Sequence, residues 1–546
     1  MKVYIKRRKY VIAFIILICV FFCNLFFIGQ HKKSNLIPTV FLNSMGEIDD
    51  HFLVLSDKNV VFSVNDSGFF LLKTYKDKII TRVIPSYKNV FKPTLVLGDV
   101  TALQDFDGNE KYKSTSPELR QYIGPNAIKE IYSFRRSELI IIQMQNDNNV
   151  FLIDLKTKAK RKLLRICQKI HGAVFSETNN CFIISYDDKI KFIDGLNYSS
   201  IDLANDLKGD KLNPNIHKGY VYFVNNSRSE YYQVFRINLR NAISNKVQLV
   251  HQSEHDILMP KMDGSFLYYI EVINSEYILK RINVNNKEID EITHQGVVYN
   301  YDFYDEEKVI FVYADIFTPR CLMFYNQQDN SFYNITGSSV NHGLSVQLIK
   351  NSFSHTNAYE LKTKEKQVKG AILFIHPGLD FSPRWDAVLM NLCYNGYVIL
   401  APNFPVSSGF GKTNSSVKTD DALEDLKKWK DFMLKQNINM PVYCLAASSG
   451  NILMERLLAD DNKGIKAAAS LFGIPATNET SVPILYLLGE NDPHVHFATR
   501  NTILNIRKIY SPIEIFSYSD EGHWFRKTNN MQDAVSRIID FFCLHL

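Results

Sequence analysis

Between about residue 40 and residue 345 one small pattern recurs: an apolar-alternating run, a polar turn, and a second such run. LIIIQ is followed by VFLIDL, FIISY by IKFID, YVYFV by YQVFRI, FLYYIE by YILKRI, and VIFVY by CLMFY. The leading runs begin near Leu139, Phe182, Tyr220, Phe266 and Val309, giving spacings of 43, 38, 46 and 43 residues. Alternation of this kind builds antiparallel strands. A unit of roughly 40–50 residues makes one small sheet that buries its faces only by stacking on copies of itself. Residues 34–350 are therefore expected to form an all-β propeller, with each leading run as the first strand of a blade. The length suits seven or eight blades of about 43 residues. A non-repeating β-sandwich is the alternative.

After Ser354 the texture changes. Ala371–Ile375 and Tyr397–Ala401 are continuous apolar runs, the mark of parallel strands covered on both faces. A helix is expected over Trp385–Tyr394, and a second from Thr419, with Asp420 and Asp421 in its first turn and Lys435 near its end. Val442–Leu445, Ala467–Leu471, Ile484–Leu488 and Ile513–Phe516 read as further strands, and Met531–Leu546 as a closing amphipathic helix. Alternating β and α elements predict a doubly wound α/β domain over 351–546.

The N-terminal 33 residues stand apart. Tyr10–Gly29 is an uncharged apolar stretch of about the 20 residues that cross a bilayer core. No small-x-small pattern follows it, so a single-pass anchor is preferred to a cleaved signal. Five basic residues precede the stretch and two follow it, which places the N-terminus in the cytoplasm and the remaining mass outside. The net charge of +6 is concentrated here: residues 1–33 hold seven Lys and Arg and no acid, leaving −1 for the rest. That balance gives no reason to expect a nucleic-acid partner. The cysteine spacing indicates no metal site. An external location permits disulfides, with Cys167 and Cys181 the nearest candidate pair.

The chemistry lies in three short motifs. In PVYCLAASSGN (Pro441–Asn451) a strand runs into a tight turn and then a helix, the arrangement that lifts a nucleophilic serine above a sheet edge. Framed on Gly450, the nucleophile is Ser448; framing on Ser449 would put Asn451 where glycine belongs. LYLLGENDPHV places Asp492 just beyond a buried strand, and IEIFSYSDEGHW places His523 beyond the next. The order Ser448, Asp492, His523, at spacings of 44 and 31 residues, is that of an α/β-hydrolase triad. His523 would accept the serine proton, and Asp492 would hold the imidazole in the tautomer that can do so. The turn His376–Gly378 follows the first apolar strand, where such folds supply part of an oxyanion hole. The backbone N–H of Ser449 and a group from His376 or Gly378 are the candidate donors.

These motifs resemble those of the prolyl oligopeptidase family of serine peptidases, which includes dipeptidyl peptidase IV and acylaminoacyl peptidase. The matching residues are IHPG (Ile375–Gly378), PNFPVSSGFG (Pro402–Gly411), DDALEDL (Asp420–Leu426), AASSGN, GENDPHV and EGHWF. The likeness is strong in the last ~190 residues and architectural before them. It implies a propeller that restricts access to an α/β-hydrolase active site, and cleavage of short peptides. Ala446, Asn451 and Pro377 stand where the family usually has glycine, and Pro405 and Val406 where it has Arg-Gly. Asp305, Glu306 and Glu307 are similar to the paired glutamates of the dipeptidyl peptidases but read better as a solvated turn.

The expectation is thus a membrane-anchored serine peptidase acting through Ser448, Asp492 and His523, with no cofactor and a peptide or small acyl substrate. An esterase on the same triad and a catalytically silent binding protein are the alternatives. Homo-oligomerisation is left open.

Overall fold

The structure is a computed structural model that describes residues 48–546 apart from connecting segments, among them 83–90, 115–127, 337–342, 474–478, 493–502 and 506–510. Between residues 48 and 130 it describes strand backbone and, of the side chains, only Val60. The expected anchor Tyr10–Gly29 lies outside the described residues, among which no helix is long and apolar enough to cross a membrane.

Seven blades follow one another in chain order, each built from consecutive antiparallel strands, the last two joined into one eight-stranded sheet. Blade 1 runs from Ile48–Val54 to Ile79–Arg82, and blade 2 has three described strands from Phe91–Leu97 to Tyr112–Ser114. Blades 3 to 7 begin with Ile128–Ser133, Ile170–Ser176, Leu212–His217, Asp256–Asp263 and Val297–Phe303. The runs read from sequence as leading strands are therefore the second strands of these blades. Each true first strand carries a register irregularity against its neighbour, for example between Ile170 and Gly172 and between Leu212 and Asn215. A bulge adds a residue and breaks the alternation by which a strand is recognised. The first strands of neighbouring blades lie against one another and so surround the axis.

Blades 6 and 7 are stitched together by a backbone pairing of Tyr277 with Val297. The ring closes differently. The first strand of blade 1 lies against the first two strands of blade 7, and Val60 packs with Ile310, Val312, Leu322 and Phe324. All the described strands of blade 1 are N-terminal, and those of blade 7 are consecutive, so among the described residues no strand is exchanged across this joint.

The second domain is one eight-stranded sheet. Its strands are β1 (Leu344–Lys350), β2 (Asn357–Thr363), β3 (Gly370–Ile375), β4 (Tyr397–Pro402), β5 (Val442–Ala447), β6 (Ile465–Leu471), β7 (Ile484–Gly489) and β8 (Ile513–Tyr518). They lie in the order β1-β2-β4-β3-β5-β6-β7-β8. β1 and β2 are antiparallel to their neighbours, and β3 to β8 are parallel. Leu344–Lys350, which a division at 350/351 assigns to the propeller, thus belongs to this sheet. Every residue of β3, β4, β5 and β7 is buried, as the unbroken apolar runs predict.

One face is covered by α1 (Ala387–Tyr394) and α5 (Thr528–Leu544), the other by α3 (Thr419–Gln436) and α4 (Gly450–Asp460). The short α2 (Gly411–Ser415) precedes α3. Trp385 lies before α1 rather than in it. Asp386 caps that helix, accepting from the N–H groups of Val388 and Leu389 at 2.9 and 3.0 Å. Among the described residues there is no disulfide; Cys181 is buried within its blade while Cys167 is exposed. An expected Cys167–Cys181 pair is thereby excluded.

Two propeller hairpins grip the hydrolase. The tip of blade 6, with Asn274 and Ser275 in the left-handed region (φ 53° and 69°), packs against the end of the paired strands β2 and β4. The carbonyl of Asn274 accepts from Asn357 Nδ2 (3.0 Å) and Tyr359 Oη (2.7 Å), and Asn403 Nδ2 reaches Ser275 Oγ (2.9 Å). From blade 5, the Glu230 carboxylate accepts from the Thr413 N–H (2.5 Å) and hydroxyl (2.9 Å). Lys412 Nζ returns to the carbonyls of Asn226 and Ser229. A side chain at Gly411 would collide with Glu230 Oε1 at 2.6 Å, which explains a glycine there. Glu230→Ala should loosen this grip without unfolding either domain. Hydrogen exchange of the Gly411–Ser415 amides is expected to speed up several-fold while exchange within β3 and β5 stays unchanged.

Candidate active site

β5 ends at Ala447, and the chain turns at Ser448 with φ +49° before α4 begins. An L-residue occupies that region only at a cost, so the turn is held by its surroundings. Ser448 N–H donates to the Leu471 carbonyl (3.0 Å), and the Asn451 N–H closes back on the Ser448 carbonyl (3.2 Å). Gly450 is the key to the fit: a Cβ there would overlap the Ile375 carbonyl oxygen and lie 2.6 Å from that of His376. Ala446 is an ordinary buried strand residue, paired with Ile375 and Ser470. Asn451 is buried in α4, and its Nδ2 donates to Glu455 Oε1 at 2.7 Å. Both substitutions of the family's glycines are therefore compatible with the turn.

Asp492 follows β7, and His523 follows β8. These two loops interlock: Glu490 N–H donates to the Tyr518 carbonyl and Asn491 N–H to that of Glu521, each at 3.0 Å. Gly489 permits this, since a Cβ would strike the carbonyl oxygens of Gly522 and, at 2.7 Å, Glu521. His523 Nδ1 lies 2.9 Å from Asp492 Oδ2, and His523 Nε2 lies 2.8 Å from Ser448 Oγ. All three residues predicted from sequence are thus in one hydrogen-bonded line. Asp492 can only accept, so the ring carries its proton on Nδ1 and offers the Nε2 lone pair to the serine hydroxyl. Asp492 and His523 are both buried, which strengthens the pairing.

The turn after β3 approaches the same corner. Gly378, with φ +69°, donates its N–H to Ser449 Oγ at 3.2 Å. Ser449 sits at the N-cap of α4 but makes no side-chain cap bond there; its hydroxyl serves Gly378 instead. Proline has no N–H, so Pro377 cannot donate, and Gly378 presents the donor of this turn. The His376 ring is engaged elsewhere. It stacks on Phe404, with centroids 4.4 Å apart, and its Nε2 lies 3.2 Å from Ser407 Oγ. Ser407 Oγ already accepts the Phe404 N–H (3.1 Å), so its own hydrogen goes to His376 Nε2 and His376 Nδ1–H faces the Pro377 carbonyl. His376 thus braces the turn by its side chain rather than offering that side chain to the site.

Sequence reading missed two supports and noted, without its strain, the position of a third residue, Val406. Phe472, after β6, lies 5.1 Å from the His523 ring and 4.5 Å from Trp524, and has φ +41°. Buried Glu521 takes the N–H groups of Arg526 (3.0 Å) and Lys527 (2.9 Å) and Asn530 Nδ2 (2.9 Å), fixing the chain just beyond His523. Val406 is strained at φ +81°, where the family has glycine. The L-F-G step after a buried strand and the E-G-H step were visible signals for the first two. Asp305, Glu306 and Glu307 form a turn in which Asp305 Oδ1 accepts from the Glu307 and Lys308 N–H groups, as the solvated-turn reading has it.

The architecture has known counterparts. Residues 358–542 match the family model of the dienelactone hydrolases. No curated protein matches the sequence. Among solved structures, a puromycin-hydrolysing peptidase of Mycobacterium tuberculosis superposes with a TM-score of 0.71 at 13% identity, covering 94% of this chain and 96% of that one. Oligopeptidase B from Leishmania major gives 0.72 at 12%, covering 93% and 88%. The Pyrococcus horikoshii acylaminoacyl peptidase gives 0.66 at 11%, covering 92% and 96%. The chain has the two-domain fold of these peptidases, a propeller joined to an α/β-hydrolase, over nearly its whole described length.

Burial pushes the His376 imidazole down to about pKa 4, so it is neutral in the folded protein at neutral pH. The unfolded chain takes up that proton near pH 6.5. This contribution to stability is therefore complete above pH 6.5 and declines as the pH falls towards 4. It amounts to about 3 kcal/mol. Denaturant unfolding at pH 7 and pH 4.5 should show a smaller acid loss for His376→Gln than for the parent chain.

Proposed function

We propose that the chain is a serine hydrolase whose preferred substrates are short peptides. The observation that carries this reading is the Ser448–His523–Asp492 line, with separations of 2.8 and 2.9 Å, on a strand–turn–helix elbow. Ser448 Oγ attacks the scissile carbonyl while His523 Nε2 takes its proton, and the same nitrogen then delivers the proton to the leaving amine. A water molecule, activated in the same way, releases the acyl group from Ser448. Asp492 holds the ring and stabilises its charged form. The oxyanion would be met by the Ser449 N–H and by the Gly378 N–H once the Ser449 hydroxyl gives it up. Each such donor is worth about 3 kcal/mol in the transition state.

The peptidase fold of the structural neighbours supports peptides as the substrate class. The match of residues 358–542 to the dienelactone hydrolases favours an ester substrate as the second reading. The Tyr10–Gly29 stretch is proposed to anchor the protein, with the hydrolase on the extracytoplasmic side; the apolar length and the flanking charges support this.

A fluorophosphonate probe is expected to label the parent chain and Ser449→Ala but not Ser448→Ala. Folded parent protein that takes no label would refute the hydrolase reading and leave the binding-protein alternative. Asp492→Asn should lower kcat about 10⁴-fold with little change in KM, because the imidazole loses its enforced tautomer. Turnover of aryl esters without any cleavage of blocked peptides would select the ester reading.

A further inference from the structure

Six residues beyond Gly378, on the loop leading to α1, Arg384 projects towards the propeller. Its guanidinium carbon lies 5.9 Å from the centroid of the Tyr299 ring in blade 7. Arg320, also from blade 7, brings a second guanidinium to the same ring at 4.5 Å. Among the described residues, Arg384 makes no hydrogen bond and no ion pair. The surrounding acids are committed. Asp380 accepts from Tyr277 Oη at 2.9 Å and Ser382 Oγ at 3.4 Å, and Asp386 caps α1. Asp315 takes Tyr313 Oη at 3.0 Å and the Phe317 N–H at 2.8 Å.

Arg384 is deeply enclosed, yet part of its surface remains open to solvent, as are parts of Arg320, Tyr299, Tyr277 and Asp380. A cation enclosed like Arg384 is costly unless an anion joins it. The planar guanidinium fork suits a carboxylate in particular. The location is tied to the candidate catalytic corner: Arg384 sits on the loop that carries Gly378, and its charge reaches the His376 ring.

Resting on the peptide-hydrolase reading, we infer that Arg384, seconded by Arg320, binds a substrate carboxylate lying within a few residues of the scissile bond. The enzyme then selects peptides by a negative charge, which comes either from an acidic side chain or from the free C-terminus. Asp380 lies near enough to act on Arg384 electrostatically but forms no ion pair with it, its Oδ2 being held by Tyr277 and Ser382, so the incoming anion displaces no salt bridge. The neighbouring tyrosine rings wall the site and give the carboxylate a partly dry setting in which the pairing is strong.

The test uses full-length Ser448→Ala protein, which binds without turning over, and dansyl-labelled alanine tetrapeptides read by anisotropy. One arm compares amidated peptides carrying Glu or Gln at each position in turn, and the other compares a free with an amidated C-terminus. In one arm the acid is expected to bind at least about tenfold more tightly, the size typical of a charge-assisted hydrogen bond. Adding Arg384→Met should abolish the difference, Arg384→Lys should keep part of it, and Arg320→Met should reduce it. Equal binding of acid and neutral peptides, no binding of either, or a preference that survives Arg384→Met would each overturn the inference. Fluorophosphonate labelling of Arg384→Met with Ser448 intact separates the two readings. Label retained at the parent rate shows that the catalytic corner is undisturbed, so a lost preference belongs to Arg384. Absence of label in the parent counts against the hydrolase reading alone and leaves the binding comparison standing.

Discussion

At Gly450 the backbone of α4 comes so near the end of β3 that one methyl group would overlap the carbonyl oxygens of Ile375 and His376. That approach sets the height of Ser448 above the sheet and the distance from Ser449 to Gly378. It also explains why the helix after β5 cannot begin with any other residue without moving two strands. Gly489 plays the same part on the other side, bringing the Asp492 loop onto the Gly522 carbonyl. The hydrogen-bonded line of three side chains is thus the product of two backbone contacts, each made by a residue without a side chain.

Much of this was legible before any coordinates. Strands β3, β4, β5 and β7 are buried on both faces and so appear as unbroken apolar runs. The triad residues follow three strands that the same pattern picks out. The propeller was legible as a period, but its phase was not. The innermost strands, such as Leu212–His217 with its proline and register shift, trade alternation for close packing about the axis. What sequence could not supply was side-chain company. The local steps around Glu521 and Phe472 mark turns without saying that one clamps a loop and the other walls a histidine, and nothing local to Arg384 announces that it faces another domain. Those roles depend on residues tens to hundreds of positions away. His376 is the converse case: its place in the motif was read correctly, but stacking on Phe404 turned its ring to bracing.

The two domains meet through polar contacts made by backbone and short side chains, and through Ile316 and Phe317 of blade 7, which pack into the hydrolase core. Asn274 offers its carbonyl to two hydrolase donors, and Glu230 binds the start of α2. Such contacts exchange readily with water, and their net contribution is modest. Ile316 of blade 7 is buried in one of the hydrolase cores with Phe317 packed against it, so parting the domains would open that core while leaving the other hydrolase core and the blade cores intact. The candidate site lies on the hydrolase side of this polar seam, and the unpaired cation lies across it from Tyr299.

The ring itself is held unequally. Between blades 6 and 7 a backbone pairing at Tyr277 and Val297 crosses from one blade to the next, whereas blades 7 and 1 touch through packing such as that of Val60. Parting the first joint breaks a backbone pairing; parting the second separates Val60 from its apolar neighbours in blade 7. Blade 7, which carries Tyr299 and Arg320, is thus tied to one neighbour by backbone and to the other by side-chain packing. Loosening the packed joint would free that side of blade 7 without breaking a described backbone pairing, whereas loosening the joint with blade 6 would break one.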